Sequence, residues 1–588
     1  MNNRQWSITK NTLGQEAHNR SGPGFHARRT CGVSHVVLTG FMGTGKTAVG
    51  HEVARRLGRR FVDMDAEIEA RAGKPIPRIF TEDGEAAFRQ MEAALCEELS
   101  ERLLTRPLGF QKTLRVSPLV IATGGGALVD PANRALMMES GTVVCLTCAV
   151  DEIMRRVSAT GDPDRPLLDV VDRRAEIERL LEARREAYQA IPWQVDTTGL
   201  SVEEVAERVL EIAGAITLSV RHPSGRYPIH IGDGLLAHVG GALRAAGGPA
   251  GGRVALVSNP VVAPLYGGQV EASLQSAGLR PFACTIPDGE QHKTLDTVAA
   301  LYDRFLDGGL DRSGTVLSLG GGVTGDIAGF AAATFMRGVR FAQVPTTVLA
   351  MVDASVGSKT GVDLPQGKNL VGAFKQPALV LIDPTVLRTL APEEVRSGMA
   401  ELIKHSVIAD PALFNELESD TSQSQISNLE SLSPQKIARA LRVKIDIVEE
   451  DPFEQGRRAV LNLGHTVGHA LERLSDFTLR HGEAVAIGMV AAARIAAEVG
   501  RADPSVADRI EGVLLAWGLP VRCPSFQYEG KRSGSFDASA IWDAMAHDKK
   551  RRGRSLRWIL PRAIGDVEIA ADVPSDTVKS VLRHMGAK

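Results

Sequence analysis

The sequence predicts an α/β multidomain protein: a parallel sheet with flanking helices, a second α/β layer, and then an all-helical region. Three observations carry this. The chain has 588 residues, well past the ~250–300 at which a single hydrophobic core stops growing. Short apolar runs bounded by Gly, Pro or Asn recur through its first two-thirds, among them "RVALVSN" and "RPFACTI", as parallel strands in an α/β layer do. From about Pro392 the texture becomes helical, with long periodic stretches such as "PQKIARALRVKIDIVEE". The expected divisions are a polar, basic, disordered tail at 1–33, then domains at 34–214, 215–390 and 391–588.

Composition narrows the class. With 44% hydrophobic and 23% charged residues, the chain reads as soluble and globular. A formal net charge of −2 gives no bulk attraction to nucleic acid or membrane. Aromatics at 5% are too sparse for base-stacking platforms. No apolar run reaches membrane-spanning length, since "AVAIGMVAAARIAAEVG" is interrupted by Arg494. The N-terminal stretch lacks the apolar core of a secretory signal, leaving a transit peptide as the alternative to a disordered tail. Six scattered cysteines argue for a reducing, cytoplasmic setting. Cys145 and Cys148 form a CxxC within "TVVCLTC", which reads as a buried strand with core thiols.

The first domain opens with "HVVLTGFMGTGKTAVG". Gly40-x-x-x-x-Gly45-Lys46-Thr47 follows an apolar strand and enters an amphipathic helix, the context that a P-loop requires. Backbone N–H groups around Gly43, Thr44 and Gly45 would cradle phosphates, Lys46 would reach the outer ones, and Thr47 would ligate magnesium. Asp63 and Asp65 in "FVDMD" stand at a strand end, either as a helix N-cap or as acids beside the transferred phosphate. Arg89, the triple glycine Gly124–Gly126, Arg165 and Arg185 complete a pocket suited to an anionic acceptor. Over about residues 34–200, "GFMGTGKT", "DMD", "DGEAAFRQME", "TGGGA", "DRPLL" and "RREAY" together resemble shikimate kinase. The resemblance implies that Asp65, Arg89, Gly125 and Arg185 hold shikimate, that Asp63 organises magnesium, and that Arg165 meets ATP from a lid. Glu-Ala-Tyr stands where the family usually has Pro-Leu-Tyr after the second substrate arginine, and the lid is short of basic residues. Another small-molecule kinase of the same fold, such as a gluconate kinase, is the alternative.

The second half carries Gly320-x-Gly322-x-x-Gly325 between a strand and a helix. That fits a pyrophosphate site, although no acid follows about 20 residues on. Next come Thr346, Thr347 and a Gly-rich stretch bearing Asp353, Lys359, Lys368 and Asn369. Cations in apolar, Gly-rich surroundings suit an anionic ligand. His465 and His469 in "NLGHTVGHALE" are at i and i+4, which puts them on one helix face. That face serves a metal or solvent equally well by spacing alone. A zinc protease is excluded, because Thr466 stands where HExxH needs its glutamate.

From about 218 to 583, "PDGEQHKT", "LGGGVTGDIAGFAAATFMRGVRFAQVPTTVLAMVDASVGSKT", "GKNLVGAF", "SGMAELIKH", "NLGHTVGHALE", "HGEAVAIGM" and "HDKK" resemble 3-dehydroquinate synthase. The resemblance implies an α/β NAD-binding domain, a helical metal-binding domain, and conversion of 3-deoxy-D-arabino-heptulosonate 7-phosphate (DAHP) to 3-dehydroquinate. It implies dinucleotide contacts at Asp288, Gly289, Glu290, Gln291, His292 and Lys293. Further contacts fall at Gly322, Val323, Thr324, Gly325, Asp326, Thr346, Thr347, Lys359 and Lys368. Glu401, His465 and His481 would hold zinc, or cobalt in its place. Asp353, Asn369, Lys404, Lys444, Arg458, Asn462, His469 and Lys549 would line the substrate site. Arg337 would reach a neighbouring subunit's phosphate pocket, which implies a homodimer. Ser358 stands where the family usually has Gly. A metal- and NAD-dependent polyol dehydrogenase is the rival, and it has little use for so many cations.

Overall fold

The computed structural model describes residues 34–104, 118–159, 172–420, 432–476, 478–526, 534–552 and 556–588. Its first unit is a five-stranded sheet in the order Phe61–Asp63, Val120–Ala122, His35–Gly40, Gly141–Thr147 and Trp193–Asp196. All neighbours are parallel. The central strand His35–Gly40 is buried along its whole length, which is why it reads as a continuous apolar run. It delivers the chain into helix Lys46–Leu57 through Gly40 (φ 135°), Gly43 (φ 77°) and Gly45 (φ 92°). A Cβ at Gly40 would lie 2.2 Å from Leu146 O, so the loop can leave the sheet only there as glycine. Cys145 lies buried in strand Gly141–Thr147 as expected, and burial pushes its thiol up to about 12.

Helix Val202–Ala213 closes this unit, and strand Ile216–His222 opens a seven-stranded sheet. The order is Ile216–His222, Gly225–Ile231, Leu379–Ile382, Arg340–Pro345, Thr315–Gly320, Arg253–Ser258 and Arg280–Thr285. The first two strands pair antiparallel, against the parallel expectation, because the turn between them is too short for a crossover. The remaining neighbours are parallel. The Gly-rich lysine stretch forms an antiparallel hairpin of Lys359–Leu364 and Gly367–Phe374.

The C-terminal region is helical but not all-helical. Its helices include Pro392–Ala409, Pro434–Glu450, His465–Leu474, His481–Glu498, Pro504–Ala516 and Ser575–His584. They are joined by hairpins Trp558–Ala563/Asp566–Ala570 and Ser525–Phe526/Gly534–Ser535. The hairpin strands were missed because helical periodicity dominates the surrounding sequence. One apolar cluster runs from Val36, Leu38 and Trp193 through Val205 and Ile212 into Leu218, Ile229, Leu243 and the helical region. The two halves therefore touch and share a core. Among the described residues, no helix is long and apolar enough to cross a membrane.

Candidate active sites

The first site surrounds the P-loop. Lys46 Nζ donates to Gly40 O and Phe41 O, both at 3.0 Å, and burial pushes its pKa down against the pull of Asp65 and Asp63. Thr47 Oγ1 donates to Asp63 Oδ2 at 2.8 Å. The other oxygen of Asp63 accepts from Asp65 N and Ala66 N, at 3.1 and 3.4 Å. Asp63 is thus the N-cap of helix Met64–Ala72, and its other oxygen meets Thr47 of the P-loop. Asp65 is pushed up by burial, with Lys46 opposing.

Opposite, Arg89 Nη1 donates to Glu92 Oε2 at 2.6 Å. A Cβ at Gly124 would lie 2.6 Å from Asp65 Oδ1 and 2.7 Å from Glu92 Oε1, and one at Gly126 would lie 2.4 Å from Arg89 Nη1. The triple glycine is therefore the floor on which Asp65, Arg89 and Glu92 converge. Glu92 is 1% exposed, and its Oε1 has no hydrogen bond.

Arg185 requires correction. Its side chain is exposed and paired with Glu182. The buried arginine is Arg184, whose Nη1 donates to Gly125 O at 3.0 Å and whose guanidinium lies over the Phe41 ring. Tyr188 OH donates to the same Gly125 oxygen at 2.7 Å. On helix Arg173–Gln189, residues 184 and 188 share a face and 185 does not. Arg165 lies outside the described residues.

The second site lies between the seven-stranded sheet and the helical region. Helix Gly322–Thr334 starts directly off strand Thr315–Gly320, so Gly322, Val323, Thr324 and Gly325 present an N-terminal turn at the sheet's carboxyl edge. Thr346 N donates to Gly320 O (3.0 Å), and a Cβ at Gly321 would lie 3.1 Å from Thr347 Cγ2, so both threonines border this turn. The segment Asp288–Lys293 borders it too. Asp288 accepts from Asn259 Nδ2 at 2.7 Å, Gly289 has φ 105°, and Glu290–His292, with Gln291 between, form a short turn. Lys293 Nζ, 4% exposed, donates to Asp326 Oδ2 and Asn369 Oδ1, both at 2.6 Å. Asn369, in the left-handed conformation at the hairpin turn (φ 54°), is thereby linked through Lys293 to Asp326. Lys368 Nζ lies 3.4 Å from Glu290 and 4.0 Å from Glu472.

The cations converge around Asp353. Lys444 Nζ donates to Asp353 Oδ1 (2.8 Å) and O (2.6 Å), and His405 Nε2 lies 3.5 Å from Asp353 Oδ1. Burial works against this carboxylate, but Lys444 and Lys404 outweigh it and hold it well below the usual range. Arg458 Nη2 donates to Gly357 O at 2.8 Å, where a Cβ on Gly357 would meet it at 2.5 Å. Lys359 pairs with Glu454, which also bonds Asn462. Lys404, Lys444 and Arg458 are all at most 6% exposed. So many buried cations suit an anionic, phosphate-bearing ligand. The Lys549 side chain lies outside the described residues. Arg337 stands exposed on the turn Phe335–Arg337.

Beside this cluster, Glu401, His465 and His481 bring three ligand atoms within 4.8 Å of one another. His465 Nε2 and His481 Nε2 lie 3.7 and 3.5 Å from Glu401 Oε1. Glu401 is completely buried, and neither oxygen receives a well-formed hydrogen bond, although Lys404 lies against Oε2. His465 Nδ1 is 3.1 Å from Leu463 O, so a neutral ring donating there turns its Nε2 lone pair toward Glu401. Burial and Lys404 keep that ring neutral. His481 Nδ1 faces Glu472 Oε1 at 3.4 Å. Burial disfavours its charge, yet Glu401 and Glu472 lift its pKa to about 10. Two imidazole nitrogens and one carboxylate, oriented by outer partners and leaving coordination positions open, fit a catalytic divalent metal.

Glu401, His465 and His481 meet because three helices cross at glycine. A Cβ at Gly482 would lie 1.9 Å from Ser397 O, and one at Gly488 1.9 Å from Gly464 O. Glu472, Glu454, Glu92, Arg184 and His405 were missed by the sequence reading. Glu92 and Glu472 each sit three residues after a chosen residue, Arg89 and His469, and that helical spacing is the available signal.

Residues 42–213 match the family model for shikimate kinase. Residues 283–397 match 3-dehydroquinate synthase N-terminal, and 398–551 match 3-dehydroquinate synthase C-terminal. The 3-dehydroquinate synthase of Nostoc punctiforme is 45% identical over 370 residues, covering 63% of this chain and 99% of that protein. This chain belongs to the 3-dehydroquinate synthase family, and it carries a shikimate kinase domain ahead of that part. The synthase of a Synechococcus strain is 46% identical over 374 residues, again covering 63% of this chain and 98% of the relative. Among solved structures, 2-epi-5-epi-valiolone synthase from Streptomyces hygroscopicus, with NAD+ and Zn2+ bound, superimposes with TM-score 0.54 at 29% identity. It covers 61% of this chain and 96% of its own.

Proposed function

We propose that the chain is a bifunctional enzyme of aromatic amino acid biosynthesis. Its first domain, 34–214, transfers phosphate from ATP to shikimate. Its remaining two domains, 215–390 and 391–588, convert DAHP to 3-dehydroquinate and phosphate. The observation that carries the synthase reading is the Glu401–His465–His481 group beside Lys404, Lys444 and Arg458, in a chain 45% identical to a 3-dehydroquinate synthase.

NAD would accept and return a hydride, and zinc or cobalt would polarise the oxygen concerned. The residues supply the rest. Glu401, His465 and His481 hold the metal, and Glu472 orients His481. Asp288 to Lys293, Gly322 to Asp326, Thr346, Thr347, Lys359 and Lys368 bind the dinucleotide. Lys444, Arg458 and Lys549 hold the phosphate and carboxylate of the substrate, with Asn369 beside them. His469 handles hydroxyl protons, and Asn462 hydrogen-bonds the substrate. In the kinase, Lys46 and Thr47 hold ATP and magnesium with Asp63, and Arg165 meets the ATP phosphates, as the resemblance to shikimate kinase implies. Asp65 meets the acceptor hydroxyls, while Arg89 and Arg184 hold its carboxylate over Gly125.

A homodimer through the synthase half is supported by Leu370, Phe374 and Phe453, which are 50–55% exposed, and by Arg337, which is exposed on the turn Phe335–Arg337. A cytoplasmic setting is supported by the five free cysteines among the described residues.

One purified preparation tests both activities. DAHP with NAD and zinc should release phosphate, and shikimate with MgATP should release ADP. A folded protein with no shikimate-dependent ADP would remove the kinase from this reading, and one with no DAHP-dependent phosphate would remove the synthase.

A further inference from the structure

We infer that the synthase half acts as a mechanical support for the kinase acceptor pocket, with Arg244 and Gly241 as positioning residues. The inference rests on the kinase reading above, in which Arg184 and Gly125 hold the acceptor.

Two donors fix the Gly125 peptide: Arg184 Nη1 at 3.0 Å and Tyr188 OH at 2.7 Å. Both project from the last two turns of helix Arg173–Gln189, so the pocket depends on where that helix ends. The end is closed locally by Gln194 Nε2, which donates to Tyr188 O (2.7 Å) and Ile191 O (2.9 Å). Beyond that, what it rests on belongs to the other half. Arg244 Nη2 donates to Gln189 Oε1 at 2.5 Å, one residue from Tyr188, and the guanidinium is itself anchored on Gly248 O. Helix Val239–Ala245 approaches the segment after Gln189 so closely that a Cβ on Gly241 would lie 2.5 Å from Pro192 O. The Trp193 ring packs edge-on against His230 and His238, at 4.8 and 6.0 Å between centroids.

The support is rigid. The turn before helix Val239–Ala245 is tied to Asp383, which accepts from Gly234 N (3.1 Å) and Leu236 N (3.0 Å). Asp383 immediately follows strand Leu379–Ile382 of the seven-stranded sheet. A continuous set of contacts thus runs from that sheet to the kinase acceptor pocket. It does not pass through the P-loop or through the metal-binding group.

A loosened support should weaken binding of the acceptor in ground and transition states alike, which raises KM and spares kcat. In the full-length chain, Arg244→Ala should raise the shikimate KM about three- to tenfold, as loss of one hydrogen bond to a neutral partner does. The kinase kcat, the ATP KM and the synthase turnover should hold within about twofold on the same grounds. Arg244→Lys should fall between. Gln189→Ala should match Arg244→Ala, with the double variant no worse than either. Gly241→Ala should move the same constant in the same direction by steric pressure. An unchanged shikimate KM in Arg244→Ala with intact synthase turnover overturns the inference. So does a parallel loss of kcat and ATP affinity, which would indicate general loosening of the domain. A wild-type chain without kinase activity would instead remove the reading on which the inference stands.

Discussion

At Ser358 the backbone takes φ 61°, a left-handed conformation that costs a non-glycine residue roughly 1–2 kcal/mol. The side chain is 8% exposed, and its hydroxyl donates to Gly357 O at 2.6 Å, a local bond that offsets part of the cost. Lys359 follows directly, so the strain sits beside the lysine that pairs with Glu454. Ser358→Gly should raise the stability of the folded chain by up to about 1 kcal/mol, read from its urea midpoint; a lower midpoint would mean that the hydroxyl bond outweighs the strain. The three histidines divide at the same scale. His465 and His481 face Glu401, whereas His469 is exposed, with its ring 5.1 Å from that of His465. It also belongs to a second potential group with Glu472 and His481. Glu401 is the better ligand because its oxygens are buried without hydrogen bonds, while Glu472 already faces His481 Nδ1. His469→Ala should therefore keep one bound metal by elemental analysis and lose synthase turnover by about 10²-fold or more. Loss of metal would move the site to the Glu472 group.

Between elements, small residues decide what can meet. Helix His481–Glu498 passes Gly464 so closely that Gly488→Ala would put a Cβ 1.9 Å from a carbonyl oxygen. That shift separates His465, which follows Gly464, from His481. The variant should lose synthase activity and metal while retaining kinase turnover; unchanged metal content would show that the crossing yields without moving the ligands. A second element carries a pH dependence. His230 in strand Gly225–Ile231 is 5% exposed, and burial pushes its pKa down to about 4. The unfolded chain has an ordinary imidazole near 6.5, so it binds the extra proton between those values. The stability that His230 contributes is then complete above about pH 6.5 and falls as pH drops toward 4, by roughly 3 kcal/mol at most. Denaturation midpoints across that range should show the fall, and His230→Phe should flatten it. Legibility differed at this scale. The P-loop could be read from sequence because Gly40 and Gly45 answer to backbone angles that few other residues adopt. Arg184 could have been read as well, since it lies four residues before Tyr188 on one helix face, but the motif was matched one position late. Glu454, which meets Lys359 across 95 positions, left no local trace. The antiparallel start of the large sheet did leave one, since only two residues separate Ile216–His222 from Gly225–Ile231, too few for a crossover.

Across the whole molecule, chemistry and stability divide differently. The P-loop and the Glu401 group share no residue, so Lys46→Ala should abolish only kinase turnover and His465→Ala only synthase turnover. Loss of both activities from either change would contradict separate sites. One of the three apolar clusters, by contrast, runs through both halves, although each half also has a cluster of its own. Kinase and synthase activities should therefore be lost at one common temperature; two well-separated midpoints would show that the contact between the halves is energetically minor.

Only Gly214 and Ala215 separate helix Val202–Ala213 from strand Ile216–His222. So short a tether holds each half before the other at very high effective concentration. The docking surface around Trp193, Gly241 and Arg244 can consequently be made of few contacts. A surface that had to recruit a free partner from dilute solution would need far more buried area. Loop closure rises by only about 0.6 kcal/mol for each doubling of a flexible tether, so a modest Gly/Ser insertion between the halves should leave them docked. Cutting the tether would remove that advantage entirely, and the separated halves would meet only as fast and as often as their concentrations allow.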